Sequence, residues 1–98
     1  MTFELFQDSL KLDSPPIVSD ELKALWHDAK GDWDKSHNII QDIDTKDAAL
    51  IHAYLHRKEG DIWNADYWYA KSNSKRPDVS QEEEWVTLVK LFLDKINV

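Results

Sequence analysis

Apolar residues recur three and four positions apart along most of the chain, and that spacing predicts helices. Leu22, Leu25, Trp26 and Ala29 fall on one side of a segment that Ser19 or Asp20 can cap and that runs through Lys30. Trp33, Ile39, Ile40 and Ile43 supply the apolar residues of a second segment, Trp33 to about Ile43. In a third, from Asp44-Thr45 to Glu59, Ala48, Ile51 and Leu55 form the stripe, while Leu50 and Tyr54 add apolar surface on other sides. A helix apolar over so much of its girth is expected at the centre of the molecule. Ile62, Ala65 and Tyr69 share a side of a fourth segment ending near Asn73. The last carries Trp85, Val86, Leu88, Val89, Phe92, Leu93 and Ile96 behind the capping box Ser80-x-x-Glu83, where Glu82, Glu83 and Glu84 read as a solvated helix start. Phe3, Phe6 and Leu10 fit a short amphipathic helix between Thr2 and Leu12, which Ser14-Pro15-Pro16 must break.

The expected fold is therefore all-α, with about five helices in one domain spanning 1–98. Residues 1–18 form an N-terminal strap, 19–44 and 45–73 two antiparallel helix-turn-helix hairpins, and 80–97 a capping helix.

The two hairpins repeat each other. A shift of 29 residues lays His27-x3-Gly31-Asp32 on His56-x3-Gly60-Asp61. In each, the glycine suits the left-handed position that ends one helix and the aspartate caps the next, so no further linker is needed. The second hairpin resembles a tetratricopeptide or Sel1-like repeat. Ala65-x3-Tyr69-x2-Ser72-x4-Pro77 is close to that repeat's second-helix pattern, Gly60 falls at its turn glycine and Ala53 at its small first-helix position. The first hairpin keeps Ala24, Gly31 and Ser36. The spacing departs from the usual period of about 34, and His52 and His56 stand where the repeat has Leu and an aromatic. The block His52 to Tyr69, HAYLHRKEGDxxNAxYWY, also resembles one shared by a set of small bacterial and fungal proteins. The repeat resemblance implies a protein-interaction module, with Asp47, Leu50, Tyr54, Arg57 and Lys58 on the helix face that lines the inner groove.

Composition changes this picture only by exclusion. The chain has 19 acidic and 12 basic residues, a net charge of −7, which repels phosphate backbones and anionic lipid. No nucleic-acid or membrane partner is expected. A protein or peptide partner or a homodimer is. Without cysteine there is no disulfide, thiolate metal site or thiol nucleophile. The N-terminus carries acids where an export signal needs bases, so a cytoplasmic protein is the default expectation.

The unusual residues lie on the central hairpin. His52 falls within the apolar stripe of its helix and His56 on the flank, one turn on. Glu59 lies on the same side, and Asn64 from the returning helix and His37 from the preceding hairpin could approach. Two histidines and a carboxylate can share a ligand or a metal. Yet no Glu follows the first His, so the zincin motif is absent. Each ring can equally be a core residue bonded to a carbonyl or carboxylate. No catalytic residue, metal or cofactor is assigned. The alternative to the interaction module is a small enzyme or ligand-binding domain using His52, His56 and Glu59. Trp63 and Tyr67 point away from the Ile62–Tyr69 side, either to be covered by the final helix or to meet a partner.

Overall fold

The computed structural model describes residues 1–96, and no strand occurs among them. The last residue of the expected capping helix, Asn97, lies outside the described residues. Six helices follow in order: α1 Phe3–Ser9, α2 Asp20–Ala29, α3 Trp33–Ile40, α4 Lys46–Lys58, α5 Ile62–Lys71 and α6 Gln81–Ile96.

Local sequence chemistry sets most of these ends. Ser19 Oγ accepts from Leu22 N–H, Asp32 Oδ1 from Lys35 N–H, Thr45 Oγ1 from Ala48 N–H and Ser80 Oγ from Glu83 N–H. Each satisfies a backbone donor that the helix leaves orphaned. The two Gly-Asp turns close identically. Gly31 N–H donates to Asp28 O and Asp32 N–H to His27 O, and Gly60 N–H donates to Arg57 O and Asp61 N–H to His56 O. Both glycines sit at positive φ, +85° and +90°, as this C-terminal motif requires. The same aspartates then cap α3 and α5, so each hairpin folds back without spare residues.

The short helix expected between Thr2 and Leu12 is present as α1, capped by Thr2, and Phe6 enters the core, fully buried against Trp85. The strap is then tied down by Trp26 Nε1–H donating to Ser9 Oγ and by Lys30 Nζ donating to the Leu10 and Leu12 carbonyls. Helix α3 stops at Ile40 rather than near Ile43. The acidic Asp42 and Asp44 are poorly placed at the negative end of a helix dipole, and Thr45 already begins the next helix.

Helix α4 is central, as its girth predicted. From Ala48 to His56 every residue but Leu50 is buried. The helix packs against α2, α3, α5 and α6. The main core joins Phe6, Leu22, Leu25, Trp26, Ile51, Leu55, Val89 and Phe92 among others, while Ala53, Ala65 and Tyr69 form a smaller cluster where α4 and α5 meet. Small residues allow the close approaches: Ala53 and Ala65 are fully buried, and Ser36, also fully buried, donates its hydroxyl to Ala24 O across the first hairpin. Helix α6 lies against α1, α2 and α4, and Trp85 Nε1–H reaches the Leu25 carbonyl.

The acidic start of α6 is not wholly solvated. Glu84 is 3% exposed, accepts from the Tyr69 hydroxyl at 2.5 Å and pairs with Arg57 at 2.8 Å. Arg57 also donates to the Val79 carbonyl. A carboxylate one turn into a helix faces inward when a cation and a hydroxyl meet it there, and its two acidic neighbours take the solvent. Asp28 is a second buried carboxylate, bonded to the Tyr54 hydroxyl at 2.7 Å and to Lys58 at 2.9 Å. Burial first, and then the adjoining carboxylate, push both tyrosines far above the ordinary phenol range.

Candidate functional site

Much of the face expected to receive a peptide is engaged by the chain itself. Tyr54 is 2% exposed and bonded to Asp28, Leu50 packs into both core clusters, Asp47 pairs with Lys95 of α6, Arg57 with Glu84 of α6, and Lys58 with Asp28 of α2. For Tyr54, Leu50 and Arg57 this corrects the expected placement, while Asp47 and Lys58 keep substantial exposure. The capping helix and α2 fill the side of α4 that would be an open concave face. The other two proposed contact residues have the opposite environment. Trp63 is 80% and Tyr67 47% exposed, their rings stacked with centroids 6.4 Å apart and Lys71 Nζ over Tyr67. Helix α6 meets α5 through the Glu84–Tyr69 bond and leaves both rings uncovered.

The polar candidates converge. His52 and His56 stand one turn apart on α4, and His37 arrives from α3 because Asp32 and Gly31 start that helix beside the α4 surface. His37 Nε2 and His52 Nε2 are 3.0 Å apart. The His52 and His56 rings stack with centroids at 4.7 Å, and the His37 and His56 centroids are 5.4 Å apart. One nitrogen from each of the three lies within 4.8 Å of the others. Glu59 Oε1 meets His56 Nδ1 at 2.6 Å. Asn64, one turn into α5, brings Nδ2 to 3.5 Å from His56 Nε2. Neutral His56 therefore carries its proton on Nδ1, toward the carboxylate, and presents a lone pair at Nε2.

Two tryptophans that the sequence reading left out of the cluster frame it. Trp33 stacks on His37 at 4.9 Å and donates Nε1–H to the Leu55 carbonyl. Trp68 stacks on His52 at 4.0 Å. The signal was present in the spacing: Trp33 is four residues before His37 and Trp68 four after Asn64, so each shares a helix face with a candidate. His27, the repeat equivalent of His56, is elsewhere, edge-on to Trp26.

Burial and like-charge neighbours set the electrostatics. His52 is 6% exposed. Its burial, and then His56 and His37 beside it, hold its pKa down to about 4. His37 is half-buried and its pKa is lowered, by loss of solvent first and by His56 second, with Glu59 and Asp34 opposing. The rings of His37 and His52 are thus neutral at neutral pH. Such a cluster can accept protons or ligate a cation through nitrogen lone pairs. A second acidic grouping, His56 with Glu59 and Asp61, is less organised for that purpose, since Asp61 is exposed and already caps α5. A cleft of about 600 Å³ beside the α5–α6 loop is lined by Arg57, Asp66, Tyr69, Lys75 and Arg76, and both its arginines already pair with carboxylates. Compared with known protein families, characterised proteins and solved structures, the chain matches none.

Proposed function

We propose that the chain is a small ligand-binding domain whose site is His37, His52 and His56, with Glu59 and Asn64 around them. The convergence of three imidazoles from two helices, with nitrogens within 4.8 Å of one another, carries this reading. Packing alone does not call for it. Apolar side chains at these positions would fill the same space without the cost of burying polar rings. Imidazole nitrogen signals of ¹⁵N-labelled protein, recorded against a panel of metabolites, small anions and divalent metal salts, test it. Shifts confined to His37, His52 and His56, with His27 still, are expected. Rings that ignore the whole panel overturn the reading.

A second reading is favoured by the exposed Trp63–Tyr67 pair. Here the two hairpins stack in a tetratricopeptide-like manner and the domain is a cytoplasmic interaction module. Its partner, a protein or peptide, meets the outer face of α5 rather than the covered face of α4. Exposed stacked aromatics supply large contact area at small entropic cost. Affinity capture with wild type and with Trp63→Ser plus Tyr67→Ser decides. Partners lost in the double variant support this reading, and identical lists sink it.

A further inference from the structure

We propose that the ligand of the imidazole cluster is a divalent transition-metal ion of the zinc class, held by His37 Nε2, His52 Nε2 and His56 Nε2. This rests on the ligand-site reading above and names its ligand. Three features of the geometry argue for it together.

The first is the nitrogen spacing. Two imidazoles on one tetrahedral zinc, at metal–nitrogen distances of about 2.0–2.1 Å, hold their ligating atoms roughly 3.3 Å apart. The His37–His52 pair is already at 3.0 Å, sharing one proton that ligation displaces, and one ring nitrogen of each of the three histidines lies within 4.8 Å of the others. The second is Glu59. It bonds the Nδ1 side of His56 at 2.6 Å, which fixes the tautomer that leaves Nε2 free to ligate. A carboxylate behind a ligating histidine is the usual outer partner at zinc sites, where it orients the ring and raises its basicity. The third is the flanking tryptophans, which stack on His37 and His52 and restrain the two rings that come from different helices. Three neutral nitrogens suit zinc, copper or nickel rather than the oxygen-seeking magnesium and calcium. Three protein ligands also leave a fourth position for water or a substrate atom, as in reactive rather than purely structural zinc sites. Asn64 Nδ2, at 3.5 Å from His56 Nε2, stands next to that nitrogen, where its amide can orient whatever takes the position.

Titration calorimetry of the chelator-treated protein with Zn²⁺, paired with the visible absorption of its Co²⁺ form, tests the proposal. The expected result is one ion per chain, a tetrahedral Co²⁺ spectrum, and no response to Mg²⁺ or Ca²⁺. Glu59→Gln is expected to weaken binding roughly 10- to 100-fold while keeping the stoichiometry, as for other outer-shell partners. His37→Gln, at a half-exposed position the core does not depend on, is expected to abolish it. His27→Gln is expected to leave it unchanged. Circular dichroism of each variant separates lost ligation from lost folding. Zinc binding that survives His37→Gln in a folded chain, or is lost in His27→Gln, overturns the assignment. So does the absence of one-to-one binding in wild type. If the imidazole signals nevertheless respond to a metabolite or anion, only the metal is overturned. If they respond to nothing, the ligand-site reading falls as well.

Discussion

At the scale of single residues, the buried polar groups decide how this protein responds to pH and to substitution. His52 has an unfolded value near the ordinary 6.5 and a folded value of about 4. Between those limits the unfolded chain binds more protons than the folded one, so stability rises with pH across the window. It is complete above about pH 6.5 and lost as pH falls toward 4. For this 6%-exposed ring the full loss is of order 3 kcal/mol. The groups facing His52 are His37, His56 and, through His56, Glu59. His37 shifts in the same direction and adds to the effect. Urea denaturation of metal-free protein at pH 7 and pH 5 is expected to give a lower midpoint at pH 5, and His52→Asn to flatten the difference. An equal slope in wild type and variant would contradict the assignment. Glu84 matters through substitution. Its carboxylate compensates Arg57 and the Tyr69 hydroxyl in a buried setting, so Glu84→Ala leaves both without their partner. A loss of roughly 3–5 kcal/mol is expected by chemical denaturation, as for other broken buried pairs. A loss under about 1 kcal/mol would mean that the pair behaves as a surface ion pair.

At the scale of elements, the hairpin turns are where sequence and structure agree most closely. Gly31 and Gly60 were legible because only a residue without Cβ takes φ near +90° cheaply, and because an aspartate followed each at once. Nothing lies within 4 Å of a Cβ added at either position, so replacement by alanine meets no steric obstacle and costs only the backbone conformation. Gly31→Ala and Gly60→Ala are each expected to destabilise by about 1–2 kcal/mol, and by similar amounts, since the two turns share one hydrogen-bond pattern. Denaturation midpoints of the two variants check both magnitude and equality. A much larger cost at one turn would show that the repeat is not equivalent there. The helix ends were less legible. Periodicity carried α3 on to Ile43, but a few acidic residues at its end outweighed the apolar signal. The inward turn of Glu84 was hidden for a different reason. One carboxylate in a run of three gives no local sign of which neighbour it will meet, and its partners, Arg57 and Tyr69, belong to other helices. The convergence on the histidines could be read from α4 because spacing of four residues places His52 and His56 on one face. The distance at which His37 meets them depends on how α3 packs, which no local pattern records.

At the scale of the whole molecule, the histidine cluster sits on the seam between the two hairpins: His37 belongs to the first, and His52, His56 and Glu59 to the second. The two hairpins are joined across that seam by direct packing of α4 on α2 and α3, by α6, which packs on both α2 and α4, and by single bonds such as Trp33 Nε1–H to Leu55 O and Lys58 to Asp28. An ion ligated from both hairpins would add a further cross-link, and it would act on the folded state alone, because the unfolded chain does not hold the three rings together. Stabilisation should then grow with free metal as mass action requires, by about 2.7 kcal/mol at a hundredfold excess over Kd. The location of that gain distinguishes seam ligation from casual binding at an exposed histidine. Amide exchange is expected to slow in both α3 and α4 when Zn²⁺ is added, and α1, remote from the cluster, to gain only what global stabilisation supplies. In His37→Gln the coupling between hairpins should vanish, with any residual slowing confined to α4 around His52 and His56. Exchange mass spectrometry with and without zinc, on wild type and that variant, measures this directly. Protection that rises in α4 alone in the wild type would place the ion on one hairpin and remove the seam from the argument.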